Sequence, residues 1–132
     1  MAQHFPVMLA ETLEYLAVRP DGRSLFAEKL VIEPRRYAMR QTGVMDSFDV
    51  FANVILCAPK DKADRIHERA GAEVNLAEGM AFGACRLPND AGLIFKVLGR
   101  ETAQVKAKVR EFWGVVRQEV TGAALPPPYL WR

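Results

Sequence analysis

Apolar residues recur along this chain with two periods, one typical of helices and one of strands. Helical spacing predicts a short helix over 8–16, a charged helix over 60–70 and a long helix over 102–121. The repeating apolar positions of the long helix are Val105, Val109, Phe112, Val116 and Val120. Gly71 and Gly122 directly follow the last two helices, where glycine commonly ends a helix.

Alternating apolar positions predict four strands, over 24–33, 48–58, 79–87 and 92–98, and a brief fifth strand over 73–76. The more apolar side of the first strand carries Phe26, Glu28, Leu30 and Ile32. The second strand is apolar on both faces in its later half, which predicts a central position in a sheet.

The turn residues Pro88, Asn89 and Asp90 predict a hairpin between the last two long strands. The predicted order α-β-β-α-β-β-α indicates an α+β fold with mainly antiparallel β layers, a short N-terminal helix and two helices in the C-terminal half.

Composition limits the classes of partner. The 132 residues include 18 Lys and Arg against 16 Asp and Glu, a net charge of +2, which argues against nucleic acid or an anionic membrane as a partner. No apolar run approaches the ~20 residues needed to span a bilayer, and the N-terminus lacks a secretion signal. These features predict a cytoplasmic protein, in which Cys57 and Cys85 are buried free thiols.

Motifs for catalysis are missing from the sequence. It contains no GxxxxGK[ST] phosphate loop, no GxGxxG, no HExxH and no GxSxG. We therefore predict no enzymatic activity, no catalytic residues and no bound cofactor. His67 is expected to be solvent-exposed on its charged helix, although Cys57, Cys85 and His67 would suit nickel or zinc if the fold brought them together.

The proline-rich tail allows two interpretations. Its prolines end the last helix, and Tyr129 and Trp131 could then pack back on the core. Alternatively, the stiff extended segment carries these two aromatic residues to a partner surface.

Four segments occur in an order that resembles a known family. They are "GRSLFAEKLVIEP" (22–34), "FDVFANVILCAP" (48–59), "ACRLPNDAGLIFKVLGRETAQVKAKVREFWGVVRQEVTG" (84–122) and "PPPYLW" (126–131). Together they resemble the C-terminal half of the urease accessory protein UreD family, also called UreH. The resemblance covers about residues 22–132 and divides the chain into an N-terminal helical extension (1–22) and a UreD-like domain (23–132).

The resemblance implies a non-catalytic scaffold within a β-stack fold, whose two helices would be those at 60–70 and 102–121. Family members bind the accessory protein UreF and, through it, the GTPase UreG, and they contact apo-urease, to which the complex delivers nickel. The partners expected here are therefore UreF-like and UreG-like proteins and the urease apoprotein. The residues expected to contact them are Lys96, Arg110, Trp113, Arg117, Tyr129 and Trp131.

This sequence departs from the family in several ways. Family members are roughly twice as long. Sheet edges that the longer proteins pair would therefore be exposed here. Such edges could pair between copies of the chain, so a homo-oligomer is a possible partner state. Lys96 and Tyr129 stand where arginine is common in the family.

Residues 4–22 resemble the start of the ribosomal RNA small-subunit methyltransferase H family, but "RSLFAEKL" replaces its glycine-rich cofactor loop. Two alternatives follow: a small self-associating α+β domain without a urease role, and an RNA-binding remnant of a methyltransferase.

Overall fold

The computed structural model describes residues 11–33, 39–41 and 45–126. Eight main elements follow one another along the chain: β1 (Glu11–Val18), β2 (Ser24–Ile32), β3 (Val50–Cys57), α1 (Lys60–Ala70), β4 (Glu73–Asn75), β5 (Met80–Arg86), β6 (Gly92–Gly99) and α2 (Thr102–Thr121). A single 3₁₀ turn, Pro88–Asp90, joins β5 to β6.

The strands form two antiparallel sheets. β1 and β2 make a hairpin, and the remaining strands make a four-stranded sheet in the order β3-β6-β5-β4. Both helices pack on one face of this sheet, and the β1–β2 hairpin packs on the other face. The predicted α+β class with antiparallel layers is therefore confirmed.

The main core lies between the four-stranded sheet and the helices. Phe95 of β6 is 1% exposed and stacks on Phe112 of α2, with ring centroids 4.2 Å apart and planes 7° apart. Ile66 of α1 and Leu93 of β6 are fully buried in the same cluster. Alternation along β6 directs Leu93, Phe95 and Val97 to the helices, whereas Ile94 and Leu98 between and after them point to the hairpin.

A second core fills the space between the sheet and the β1–β2 hairpin. Phe26 packs with Ile94 and Leu87 at one end. Ile32 packs with Met39 and Met45 at the other. The predicted inward side of β2 is confirmed, since Phe26 and Ile32 are buried while Val31 is 40% exposed.

The helix predicted over 8–16 is wrong for the residues that the structure describes. Residues 11–18 form β1, which pairs residue by residue with β2, from Glu11 opposite Ile32 to Ala17 opposite Phe26. The segment also alternates with period two, and pairing with β2 satisfies its backbone groups. This long-range pairing outweighs the local helical spacing. Residues 8–10 of the predicted helix lie outside the described residues.

The predicted central position of the second strand is also wrong, because among the described strands β3 lies at the edge of its sheet and β6 lies in the middle. β3 is apolar on both faces because both faces are covered. Val54 and Leu56 pack toward the helices, whereas Phe51 and Ile55 pack toward the hairpin. Coverage by two layers produces the same pattern as a central strand.

The two C-terminal-half helices and the β5–β6 hairpin are confirmed. α1 and α2 have the predicted bounds, and Gly71 and Gly122 follow them with positive φ angles of 67° and 71°. Asn89 in the hairpin turn also has a positive φ, 59°, which asparagine tolerates better than most residues.

Asp64 of α1 makes two hydrogen-bonded ion pairs, one within the helix and one that joins α1 to β5. It accepts from Lys60 Nζ at 2.7 Å and from Arg86 Nε at 3.0 Å. These two bonds lower the pKa of the Asp64 carboxyl group below its ordinary value of 3.8, the Lys60 bond being the larger cause.

Asp64→Asn is expected to lower the melting temperature slightly at pH 7. Because the folded-state pKa is lowered, the stabilisation is fully present above the ordinary value and is lost as the pH falls through the folded pKa. Thermal unfolding from pH 2 to pH 7 should show the two curves converging at low pH. Glu68→Gln on the same helix is the control and should not lower the melting temperature at pH 7, and a difference for Asp64→Asn that persists at pH 2 would contradict the account.

Candidate partner-binding surface

An apolar groove of about 400 Å³ runs along the second half of α2. We call it the α2 groove. It is lined by Leu56, Cys57, Ala58, Pro59, Lys62, Trp113, Val116, Arg117, Val120, Thr121 and Leu125. These residues come from the end of β3, the start of α1, the second half of α2 and the segment after it. The groove therefore forms where three elements meet at the β3 edge of the sheet.

The floor of the α2 groove is apolar and well supported. Leu56 and Val116 belong to the main core. Trp113 is half-buried and its ring lies 6.4 Å from that of Phe112, tilted by 51°. Val120 completes the helical repeat but remains 49% exposed, because it lies beyond the sheet. An exposed apolar side chain beside a half-buried tryptophan is a common feature of protein-binding surfaces.

The rim of the α2 groove carries two cations, Lys62 and Arg117. Lys62 Nζ donates to the backbone oxygen of Glu119 at 2.9 Å and thereby joins α1 to α2. Arg117 is exposed. An apolar floor with a cationic rim suits an apolar segment flanked by acidic side chains.

Ion pairs join the two helices beside the α2 groove. The Glu119 carboxylate, whose side chain is 18% exposed, lies 2.8 Å from Arg69 Nη1 and 3.9 Å from Arg65 Nε. These contacts link the second half of α2, which forms one wall of the groove, to α1. Lys62 and Glu119 were not singled out from the sequence, since charged residues on helices usually face solvent.

Of the four predicted contact residues that the structure describes, it brings together two, Trp113 and Arg117, which both line the α2 groove. Arg110 is half-buried on the same helix but does not line the groove. Lys96 lies on the opposite face of the sheet, where its Nζ is 3.7 Å from Glu28 Oε1 on β2. Lys96 is thus separated from the α2 groove by the sheet itself.

The other two predicted contact residues, Tyr129 and Trp131, lie outside the described residues. The described chain reaches Pro126, after Leu125 has packed over Gly114 on α2. The chain therefore passes along the α2 groove shortly before these two aromatic residues, whose role stays a prediction.

The predictions for Cys57, Cys85 and His67 need correction. Both cysteines are exposed free thiols, because each lies at or near the end of its strand. His67 is half-buried, with Nε2 3.1 Å from the backbone oxygen of Ala84.

The register directs the cysteines to the hairpin side of the sheet, while His67 packs on the helix side, so the three do not converge. Within the described ranges, no three His, Cys, Asp or Glu side chains are placed to hold a metal ion. In this same part of the chain, neither helix has the length and apolar character of a bilayer-spanning segment.

Comparison with known protein families gives a match over most of the chain. A sequence profile described as UreD urease accessory protein matches residues 9–132. The chain belongs to the UreD family of urease accessory proteins. The resemblance expected over 22–132 is therefore confirmed, and the UreD match also includes most of the segment that resembles a methyltransferase.

Individual UreD proteins show the same relationship. Urease accessory protein UreD 2 of Brucella suis is 52% identical over 118 residues, which is 89% of this chain and 39% of the Brucella protein. UreD of Yersinia enterocolitica is 48% identical over 86% of this chain and 35% of its own length. UreD of Yersinia pseudotuberculosis is 50% identical over 84% of this chain and 35% of its own length. The chain thus spans less than two fifths of the length of these curated relatives.

Proposed function

We propose that this chain is a non-catalytic scaffold in urease maturation, which assists nickel insertion by binding other accessory proteins and apo-urease in the cytoplasm. Membership of the UreD family is the observation that carries this proposal. In the proposed function, nickel is carried and delivered by the whole complex. Nucleotide hydrolysis belongs to a UreG-like partner, in line with the missing phosphate loop in this sequence.

The α2 groove is the surface that we assign to an accessory protein, of the UreF-like kind. Three physical features support this choice: an apolar floor, a half-buried tryptophan and a cationic rim. Burying such an aromatic side chain at an interface typically contributes about 2 kcal/mol or more. Trp113 would be the central contact, and Arg117 would pair with an acidic side chain at the edge of the interface.

Val120→Asp is expected to weaken binding of a UreF-like protein at least tenfold, which corresponds to about 1.4 kcal/mol. Val120 lines the α2 groove and is 49% exposed in the free chain, so the change leaves the core intact. A bound partner would bury the new carboxylate against the apolar floor of the groove in place of an apolar contact, which is costly. Isothermal titration calorimetry of the purified chain with a UreF-like protein measures the effect.

Gln118→Asp is the matched control, because it adds the same charge to an exposed position in the same helical turn but outside the α2 groove. Its affinity should stay within about twofold of wild type. Equal losses in both variants would show a general charge effect and remove the groove from the interface. Unchanged affinity in both variants would likewise remove the groove from the interface.

A further inference from the structure

The outer edge of β3 carries backbone groups with no strand beside them in the described part of the chain. Ala58 N–H donates to Ala91 O at 3.1 Å, in the same register that pairs β3 with β6. Ladder bonds alternate from residue to residue in an antiparallel pair. The even-numbered residues of β3 therefore bond to β6. The odd-numbered residues point their N–H and C=O groups outward: Phe51, Asn53, Ile55 and Cys57.

This edge lacks the features by which proteins protect an exposed strand. Val50–Cys57 contains no charged residue and no proline, and its pairing with β6 runs without a bulge. Edge strands are commonly protected by lysine, proline, a bulge or short length. The opposite edge of the same sheet, β4, has only three residues. β3 is therefore the longer of the two edges, and it carries no charge that would hinder pairing with another strand.

Clefts lie beside this edge on both faces of the sheet. The α2 groove adjoins it on the helix side at Leu56 and Cys57. On the hairpin side, a cleft of about 530 Å³ separates β1 from β3 and is lined by Asn53 and Ile55. Side chains of a strand point alternately to the two faces of its sheet. An added strand could therefore place successive side chains in the two clefts.

We propose that a second copy of this chain occupies the edge, with the two β3 strands antiparallel and Val54 on the two-fold axis. Only this register pairs all four outward-facing residues with one another: Phe51 lies opposite Cys57 of the second copy, and Asn53 opposite its Ile55. The symmetric interface is the same patch on both copies. It joins the two four-stranded sheets into one continuous sheet.

Charge supports the second copy as the occupant. No residue of β3 carries a charge that would repel its own copy. In the centred register, Asp49 of one chain lies opposite Pro59 of the other, which brings Asp49 and its partner Arg40 next to Lys60 and its partner Asp64. The strand is therefore uncharged along its length, and the charges at its two ends are neutralised within each copy. The pairing does not rest on the urease role proposed above, although a second copy and a UreF-like protein would meet at the Leu56 end of the α2 groove.

Sedimentation equilibrium of the 132-residue chain tests the proposal. The expected mass is twice the 14.8 kDa of one chain and falls toward one chain on dilution. Asn53→Pro removes an outward N–H that β6 does not use, since edge strands accept proline in this orientation. This variant should lose the dimer. A wild-type chain that stays monomeric at the highest soluble concentration would overturn the pairing.

Val74→Pro is the matched control on the other edge of the sheet. Leu87 N–H donates to Gly92 O in the β5–β6 register, so the even-numbered residues of β5 bond to β4 and Val74 N–H points outward. This variant should keep the dimer. Equal dimerisation by both proline variants, or its loss in both, would contradict assignment of the interface to β3.

Disulfide cross-linking tests the register directly and does not depend on a proline substitution. In a Cys85→Ser background, Phe51→Cys should cross-link to Cys57 of the second copy under mild oxidation. Cα atoms of directly opposed residues lie about 5.5 Å apart, within disulfide range. Asn53→Cys in the same background should form few cross-links, because residue 53 lies two positions from the residue opposite Cys57. Equal or preferential cross-linking of Asn53→Cys would overturn the register.

Discussion

Gly92→Ala is expected to destabilise the domain by more than about 3 kcal/mol. Gly92 opens β6 with a φ of +147°, a conformation that residues with a side chain rarely adopt. A Cβ atom there would lie 1.8 Å from the backbone oxygen of Leu56. Neither strand can move away without breaking the β3–β6 ladder, so steric overlap adds to the backbone strain. Urea unfolding followed by circular dichroism measures the free energy of unfolding.

Gly122→Ala is the control that separates the two causes. Gly122 has a left-handed conformation, with a φ of +71°, but open space where its Cβ would lie. Alanine there should cost only about 1 kcal/mol, the usual penalty for a left-handed conformation. Similar losses for both variants would show that contact with Leu56 contributes nothing, and would contradict the close approach of β6 to β3.

Phe95→Ala is expected to lower the free energy of unfolding by about 3 to 5 kcal/mol. The Phe95 ring is 1% exposed, stacks on Phe112 and lies 6.1 Å from the ring of Phe82. Its removal leaves a cavity between the central strand and α2 that these rigid neighbours cannot fill. The same urea titration measures the loss.

Val74→Ala provides the comparison for an apolar side chain outside the core. Val74 lies on β4 and is 73% exposed, so its truncation should change the free energy of unfolding by less than about 0.5 kcal/mol. A loss below about 1.5 kcal/mol for Phe95→Ala would mean that the stack with Phe112 is not the centre of the core.

Elements governed by local sequence were predictable with accurate bounds. α2 combines a long apolar repeat with a closing glycine, and the structure begins and ends it at the predicted residues, Thr102 and Thr121. The turn at Pro88–Asp90 likewise carries its own signal in proline and asparagine.

Elements governed by distant contacts were not predictable in the same way. Residues 11–18 contain both helical and alternating spacing, and only pairing with β2 selects the strand. The apolar pattern of β3 indicates that both of its faces are covered. It does not indicate which strands bond to its edges. The helix predicted over 8–16 and the central position predicted for β3 are wrong for the same reason: pairing with distant strands leaves no mark in the local sequence.

The candidate surface was predictable in part. Trp113 and Arg117, which the resemblance to the UreD family implied as contacts, lie on one helix and both line the α2 groove, while their contact with a partner stays a prediction. Lys96 could not be placed, since the face of a strand that meets the helices depends on the packing of the whole sheet. The contributions of Leu56 and Lys62 to the α2 groove also depend on tertiary contacts, and nothing in the local sequence marks them.

Co-purification tests the proposed scaffold function most directly. An affinity-tagged form of the full 132-residue chain would be co-expressed separately with a UreF-like protein, a UreG-like protein and apo-urease, and the retained proteins quantified against an untagged control. We expect stoichiometric retention of the UreF-like protein or of apo-urease. Retention of neither by a chain whose circular dichroism shows that it is folded would contradict it.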